Sequence, residues 1–247
     1  MVVRAVVPPV VVSATRRVRR LRGPGSGLSC PDRPLSDGAV ELRPIEKRDV
    51  GLVERAASDP EIRRRFGLSR DRPSEYLARF RDAARGGSAA AFVICDVGGE
   101  SFGVVTVELG NAGKGQVGYW LLPEGRGEGR ATRAVRLTAR WALSQPGVAR
   151  LELSTDPENT ASQRVAERSG FRREGVLRSY HEVGGRREDA VFFSLLPGEL
   201  EKRVHVQRAA RAWSIARAQA FVLGWLPDRA ESLECAAGVG LILSGGA

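Results

Sequence analysis

Histidine is nearly absent from this chain of 247 residues, which has only His181 and His205, and cysteine is scarce, with Cys30, Cys95 and Cys235. These cysteines lie far apart without a Cys-x-x-Cys spacing, so neither a disulfide framework nor a zinc site is expected. No metal is expected, and a cytoplasmic location is the default. Two histidines leave few candidates for a Ser-His-Asp triad, and the Gly-x-Ser-x-Gly elbow of serine hydrolases does not occur. Lysine is almost missing as well: three lysines stand against 36 arginines. No requirement of a folded surface asks for that ratio, which reads as coding bias. No apolar run is long enough to span a bilayer, so no membrane partner is expected. A chain-long basic field is also lacking. The net charge of +10 is concentrated at the start, where residues 1–36 carry seven arginines and one aspartate. Residues 37–198 have 26 basic and 23 acidic side chains, a near balance that argues against a nucleic-acid binder as a whole.

What is present suffices for a sizeable core, since hydrophobic residues make up 42% of the chain. Residues 1–37 read as a basic leader outside that core. They hold Pro8, Pro9, the cluster Arg16-Arg17-Val18-Arg19-Arg20 and a Gly/Pro/Ser-rich stretch over 23–34. The apolar run Val10 to Ala14 makes a poor signal peptide, because the strong positive charge follows it. A basic arm over residues 4–22 that touches RNA is the sharper alternative to a plain leader, and the plain leader is preferred. The folded domain is expected over 38–198. Residues 199–247 form a C-terminal extension with a helical stretch at 199–223, a candidate contact for the core or for a homodimer.

Within 38–198 the patterning alternates between helical and strand periods. Val40 to Arg43 is a strand stopped by Pro44, and Glu46 to Ala57 has helical spacing. Asp59-Pro60-Glu61 is a helix start, with an N-cap carboxylate and proline in the first turn. A helix over Pro73 to Arg85 buries Tyr76, Leu77 and Phe80 and ends at Gly86 and Gly87. Ala91 to Val97, Ser101 to Leu109 and Gln116 to Leu122 are three strands of an antiparallel meander joined by glycine turns. Ala131, Ala134, Val135, Thr138, Trp141 and Ala142 give an amphipathic helix whose other face, Arg133, Arg136 and Arg140, reads as solvated. Val148 to Thr155 returns as a parallel strand. A helix over Thr160 to Ser169 and two strands, Phe171 to Tyr180 and Arg187 to Leu196, complete an α/β fold with one mixed sheet.

The stretch from Gly118 to Ala131 stands out. An apolar strand breaks at Pro123 and runs through Gly125, Arg126, Gly127, Gly129 and Arg130 straight into a helix. Glycines let the backbone approach an anion closely, and the free N–H groups at the helix start favour negative charge. The loop is not a P-loop, because no lysine follows its glycines. Nor is it a dinucleotide fingerprint, whose third glycine would fall on Arg130 or Thr132.

Arg126-Gly-Glu-Gly-Arg-Ala131 resembles the Arg/Gln-x-x-Gly-x-Gly/Ala acyl-CoA loop of the GNAT N-acetyltransferases. Leu42 to Pro44, Ser58 to Glu61, Gly118 to Pro123, Asn159 to Ser162, Val165 to Glu167, Gly170-Phe171, Glu174 to Arg178 and Ser194 to Gly198 resemble the RimJ/RimL branch, in the right order over about residues 38–198. The resemblance implies a three-layer α/β/α fold. It implies acetyl-CoA as co-substrate, an amine-bearing peptide, protein or small molecule as acceptor, and direct transfer in a ternary complex. It places the pyrophosphate on Arg126, Gly127, Glu128, Gly129, Arg130 and Ala131, and the pantetheine arm on the backbone of Leu121 and Leu122. Asn159 is implied to bind the pantetheine amides, with helix N-capping as its plain role. Ser162 matches a position that can reprotonate the leaving thiolate, against the plain reading of a surface serine, and Tyr180 is a rival acid.

The general base is the departure. The family's glutamate two residues before Gly118 is here Gln116, which cannot take a proton. Glu182, His181 and Glu108 are the remaining candidates, with Glu182 preferred. That departure leaves a second reading open, a catalytically silent CoA-binding or regulatory protein of the same fold.

Overall fold

In the computed structural model, residues 27–183 and 185–200 are described, and the structural statements below concern these. The basic segment 4–22 and nearly all of the helix expected at 199–223 lie outside them.

The folded part begins earlier than its sequence suggests. Leu28 is buried, its N–H donates to the Gly87 carbonyl at 2.9 Å, and the Ser29 N–H donates to Gln145 Oε1 at 3.2 Å. A two-residue strand, β1 (Leu35–Ser36), pairs antiparallel with β2 (Glu41–Pro44). Residues 27–37, expected in the leader, thus carry structure that is too short to show a period. The helix expected over 46–57 is a 3-10 turn, Lys47–Asp49, running into α1 (Val50–Ser58). Asp49 tightens that turn: it accepts the Glu46 N–H at 2.7 Å and pairs with Arg43 at 2.6 Å.

Helix α2 (Pro60–Phe66) starts as its sequence predicts, with Asp59 Oδ1 accepting the N–H groups of Glu61 at 2.8 Å and Ile62 at 3.1 Å. Helix α3 (Pro73–Arg85) follows, then the meander β3 (Ala89–Cys95), β4 (Ser101–Leu109) and β5 (Lys114–Leu121). Every residue of β3 is buried, the mark of a strand covered on both faces. After α4 (Arg130–Leu143) come β6 (Arg150–Thr155), α5 (Thr160–Arg168), β7 (Arg172–Val183) and β8 (Arg186–Leu195).

The eight strands make one sheet in the order β1-β2-β3-β4-β5-β6-β8-β7, antiparallel except for β5 with β6. Its two faces carry separate cores. On one, Ala134, Val135 and Trp141 of α4 and Ala166 of α5 pack on Tyr119, Leu121, Leu151 and Phe193. On the other, Val53, Ile62, Leu77 and Phe80 of α1 to α3 pack on Val93, Trp120 and Leu122. These are the three expected layers. Each fully buried large apolar side chain contributes about 1.5–3 kcal/mol. The arginine face of α4 is less free than expected: Arg133 pairs with Asp37 at 2.8 Å and Arg136 donates to the Arg168 carbonyl, which ties the helix to the β1–β2 turn and to α5.

One feature of the sheet positions the site. Strands β5 and β6 are paired only at Lys114–Arg150, Gly115–Leu151 and Gln116–Glu152. Beyond that, β5 stays with β4 as far as Leu121 opposite Gly103, and β6 stays with β8 as far as Thr155 opposite Val191. The sheet therefore splits between them.

Candidate active site

The split turns a row of main-chain groups towards open space. The Leu122 N–H donates to the Phe102 carbonyl at 2.8 Å, and hydrogen-bonded and non-bonded pairs alternate along an antiparallel ladder. Gly118 and Trp120 therefore face β4 with their peptide groups, whereas Val117, Tyr119 and Leu121 turn theirs towards the gap. The expected pair Leu121 and Leu122 is separated by this alternation, since only Leu121 presents its backbone to the gap. Both side chains are core, Leu121 under α4 and Leu122 against α1 to α3.

The loop after β5 is held open by its glycines and anchored at both ends. Gly125 lies so close to Phe102 that a Cβ there would sit 2.7 Å from the phenylalanine Cβ. Gly127 (φ 95°) and Gly129 (φ 74°) adopt left-handed backbone, and a Cβ on either would meet nothing within 4 Å. Glycine is needed there for conformation, and the space beside it is open. Gly129 caps α4 with no side-chain cap bond, which leaves the N–H groups of Arg130, Ala131 and Thr132 without intrahelical acceptors. Helix α4 thus presents the positive end of a 14-residue dipole to the loop.

The two loop arginines have different surroundings. Arg126 Nε donates to the Leu121 carbonyl at 3.1 Å and its Nη2 reaches Asp59 Oδ2 at 3.4 Å, so this guanidinium links the loop to the cap of α2. Arg130 is not solvated: it stacks over the Phe102 ring at 4.1 Å and pairs with Glu128 at 2.9 Å, while its Nη1 is buried without a partner. A buried guanidinium nitrogen beside a helix start is a place for an oxyanion.

On the α4 face of the gap, Asn159 caps α5 by accepting the Ser162 N–H at 3.0 Å. Ser162 is wholly buried, which overturns the plain reading of a surface serine. The Tyr119 hydroxyl donates to Ser162 Oγ at 3.2 Å, and burial pushes that phenol far above its usual pKa, with the serine bond offsetting only part of the rise. The sequence does not single out Tyr119 within the strand expected over Gln116 to Leu122, because its serine partner lies 43 residues away.

The opposite face is walled by α2 and the β7–β8 hairpin. Arg65, buried, meets Asp156 at 2.5 Å just past the end of β6, and Arg64 meets Glu188 of β8 at 3.2 Å. Burial raises the Asp156 carboxyl, but the Arg65 hydrogen bond and further lowering contacts bring it below the usual value. His181, opposite Glu188 on β7, is buried with Nε2 unpartnered. Burial first, then the Arg65 charge, lower its pKa to about 4. It is a neutral imidazole at pH 7 and a feeble base. Glu108 is paired with Arg79 at 2.7 Å. Glu182 lies near the hairpin turn, its side chain 60% exposed and 3.7 Å from Arg187. Tyr180 is half-exposed, edge-on to Phe192 and His181, and its pKa is raised by burial and then by the Glu152 charge. Thus Asn159 and Ser162 converge with β5, Tyr180 stands on the hairpin wall, and Glu182 lies apart from both. Among the described residues no group of three or more His, Cys, Asp or Glu is placed to hold a metal ion.

A mixed sheet split between two parallel strands, with a glycine loop and an uncapped helix start at the end of one of them, defines an acyl-CoA-dependent N-acyltransferase. The chain belongs to the GNAT acetyltransferase family, whose domain profile matches residues 39–172, more than half of its length. It falls in the RimJ/RimL-like branch and is an N-acetyltransferase with acetyl-CoA as co-substrate. It is 28% identical over 170 residues to the uncharacterized N-acetyltransferase p20 of Bacillus licheniformis, covering 65% of this chain and 94% of that one. It is similar to the solved structure of Mycobacterium smegmatis RimJ in complex with CoA-disulfide, with 29% identity, a TM-score of 0.60, and coverage of 68% of this chain and 88% of the other. The spermidine N(1)-acetyltransferase of Escherichia coli K12 is 27% identical over 160 residues, 62% of this chain and 83% of that one.

Proposed function

We propose that the enzyme works in the cytoplasm and that its acceptor is the free amine of a peptide or protein in preference to a polyamine. Carriage of the acetyl donor rests on the gap between β5 and β6. The N–H groups from Gly127 to Ala131, with the unpartnered Arg130 Nη1, hold the pyrophosphate. The peptide groups of Tyr119 and the N–H of Leu121 line the pantetheine arm, and an N–H in that row stabilises the charge that develops on the thioester oxygen. Asn159 shares its cap with that arm, and Ser162 returns a proton to the departing sulfur.

The acceptor preference is carried by one observation: the two carboxylates that meet α2 at the mouth of the gap are already paired with arginines. Asp156 and Glu188 are committed to Arg65 and Arg64. Beyond those pairs, Arg63 and Arg70 donate to the main-chain carbonyls of Ala57 and Ser58 and have no carboxylate partner among the described residues. A polycation entering there would meet net positive charge, whereas a peptide with acidic residues behind its amine would not.

Turnover of acetyl-CoA against acidic peptides, basic peptides and spermidine tests this, with the acidic peptide expected to give the highest kcat/KM. Faster turnover of spermidine would overturn the acceptor assignment. CoA-induced thermal stabilisation tests the loop separately. Gly129→Ala, strained by its positive φ, should cost about 1–2 kcal/mol of stability yet keep that response. Gly127→Glu or Gly129→Asp should abolish it by placing negative charge in the cradle, and a normal CoA response in both would remove the cradle.

A further inference from the structure

The proton acceptor missing from position 116 has a structural substitute on the next strand. Gln116 and Glu152 are direct neighbours across β5 and β6, the last pair before the strands part. Neighbours in register share a face, and this is the face of Trp120 and Leu122, towards α1 to α3. Gln116 reaches Ser154 Oγ at 3.4 Å, so its amide leans along β6 past Glu152 towards the opening of the gap. The Glu152 side chain is 15% exposed, open enough to exchange a proton and enclosed enough to act locally.

We propose that Glu152 is the catalytic base, receiving the proton of the acceptor amine directly or through one water. This rests on the acetyltransferase reading above. The other carboxylates in reach are less suited. Glu108, on the far side of Gln116, is paired with Arg79 at 2.7 Å, and Asp156 and Glu188 are held by arginines. Glu152 is ion-paired too, with Arg150 Nε at 3.0 Å, but that contact lacks the hydrogen-bonding geometry of the others, and Arg150 also reaches Glu174 at 3.9 Å. The carboxylate thus keeps lone pairs for a donor. Tyr180 on the hairpin wall feels the Glu152 charge, which places that carboxylate beside the wall an acceptor would pass.

The two faces of the gap then divide the work. The ammonium acceptor gives one proton to Glu152, and its freed nitrogen attacks the thioester carbon from the α2 side. The carbon–sulfur bond breaks as the amide forms. The sulfur takes a proton from Ser162 on the α4 side, and Ser162 is restored by the second proton lost from the nitrogen. The proton on Glu152 passes to solvent. The balance is one ammonium and one thioester in, and one amide, one thiol and one proton out.

Glu152→Gln keeps size and packing, so its CoA-induced thermal shift should match that of the native enzyme. Its kcat/KM with the best acceptor of the peptide and spermidine panel should fall by about 10²–10⁴-fold. Its rate should also lose the acid-side decline, in a setting where Arg150, Glu174, Tyr180, Glu108 and Arg79 are the other charged or titratable neighbours. The decisive variant is the exchange Gln116→Glu with Glu152→Gln, which restores a carboxylate from the adjacent strand and should recover at least tenfold of the lost activity. Native-like kcat/KM and pH profile in Glu152→Gln would overturn the assignment, and so would a loss of activity that the exchange fails to recover. Absence of turnover by the native enzyme with every acceptor would instead overturn the acetyltransferase reading on which the proposal rests.

Discussion

The hydroxyl of Tyr119 on β5 donates to Ser162 Oγ on α5 across 3.2 Å, with both side chains wholly buried. The serine oxygen is thereby engaged as an acceptor, which leaves the serine's own proton for a different acceptor. In the proposed reaction Ser162 returns a proton to sulfur, and the Tyr119 bond restrains its hydroxyl for that step. On that proposal Tyr119 is a positioning residue.

Tyr119→Phe should therefore lower kcat by about tenfold and leave KM for acetyl-CoA within about twofold, with a stability cost of about 1 kcal/mol for the lost hydrogen bond. Ser162→Ala should lower kcat by about 10²-fold. The informative variant is the double one, which should be no slower than Ser162→Ala alone because Tyr119 acts through the serine. A further tenfold loss in the double variant would show that Tyr119 contributes on its own account.

The sequence exposed the parts of this molecule that obey local rules. The Asp59 cap, the glycine turn after β3, the 3.6-residue period of α4 and the glycine loop before it all follow from residue chemistry within a few positions. What it hid depends on register between distant strands. Whether Leu121 or Leu122 offers its backbone to the gap is decided by which of them pairs with Phe102. That Gln116 lies beside Glu152 follows from a parallel pairing that holds for three residues and then fails. No pattern within β5 or β6 announces the end of that pairing. Leu28 was hidden for a different reason: one apolar side chain in a Gly/Pro/Ser stretch has no periodicity to betray it. Arginine-rich segments misled in a third way, because a side chain as long as that of Arg133 or Arg136 can be solvated or tethered according to what the fold brings within reach.

The tether between Arg126 and Asp59 gives a test that separates stability from binding. Arg126 joins the Leu121 carbonyl to the cap of α2, and both members of its ion pair are largely enclosed, with side-chain exposures of 13% for Arg126 and 18% for Asp59. Arg126→Ala should lose about 1.5–3 kcal/mol of unfolding free energy, in the range of a hydrogen bond from a charged donor. Asp59→Asn keeps the cap on Glu61 and Ile62 but removes the charge. Denaturant titration of the two single variants and the double one should give a coupling energy of about 0.5–1 kcal/mol. Weakened acetyl-CoA binding with unchanged stability in Arg126→Ala would instead make this arginine a phosphate ligand.

His181 should make stability depend on pH in a definite window. Its imidazole is held neutral, with a pKa brought from 6.5 to about 4 by burial and by Arg65, against a smaller opposing effect of Asp156. Between those values the unfolded chain binds a proton that the folded chain refuses. The contribution is therefore complete above about pH 6.5 and is lost progressively as pH falls towards 4, up to a ceiling of roughly 3 kcal/mol. The lowered Asp156 carboxyl acts in the same direction but below its ordinary value of 3.8, outside this window. Urea unfolding of the native protein at pH 7.5, 6, 5 and 4.5 should show the decline, with Arg65, Asp156, Glu188 and Tyr180 as the groups facing the ring. His181→Gln cannot titrate, so its stability should fall less over the same range and the gap between the two proteins should narrow on acidification. Parallel profiles would mean that the folded protein accommodates a charged His181, and that the unpartnered Nε2 has a proton acceptor within reach.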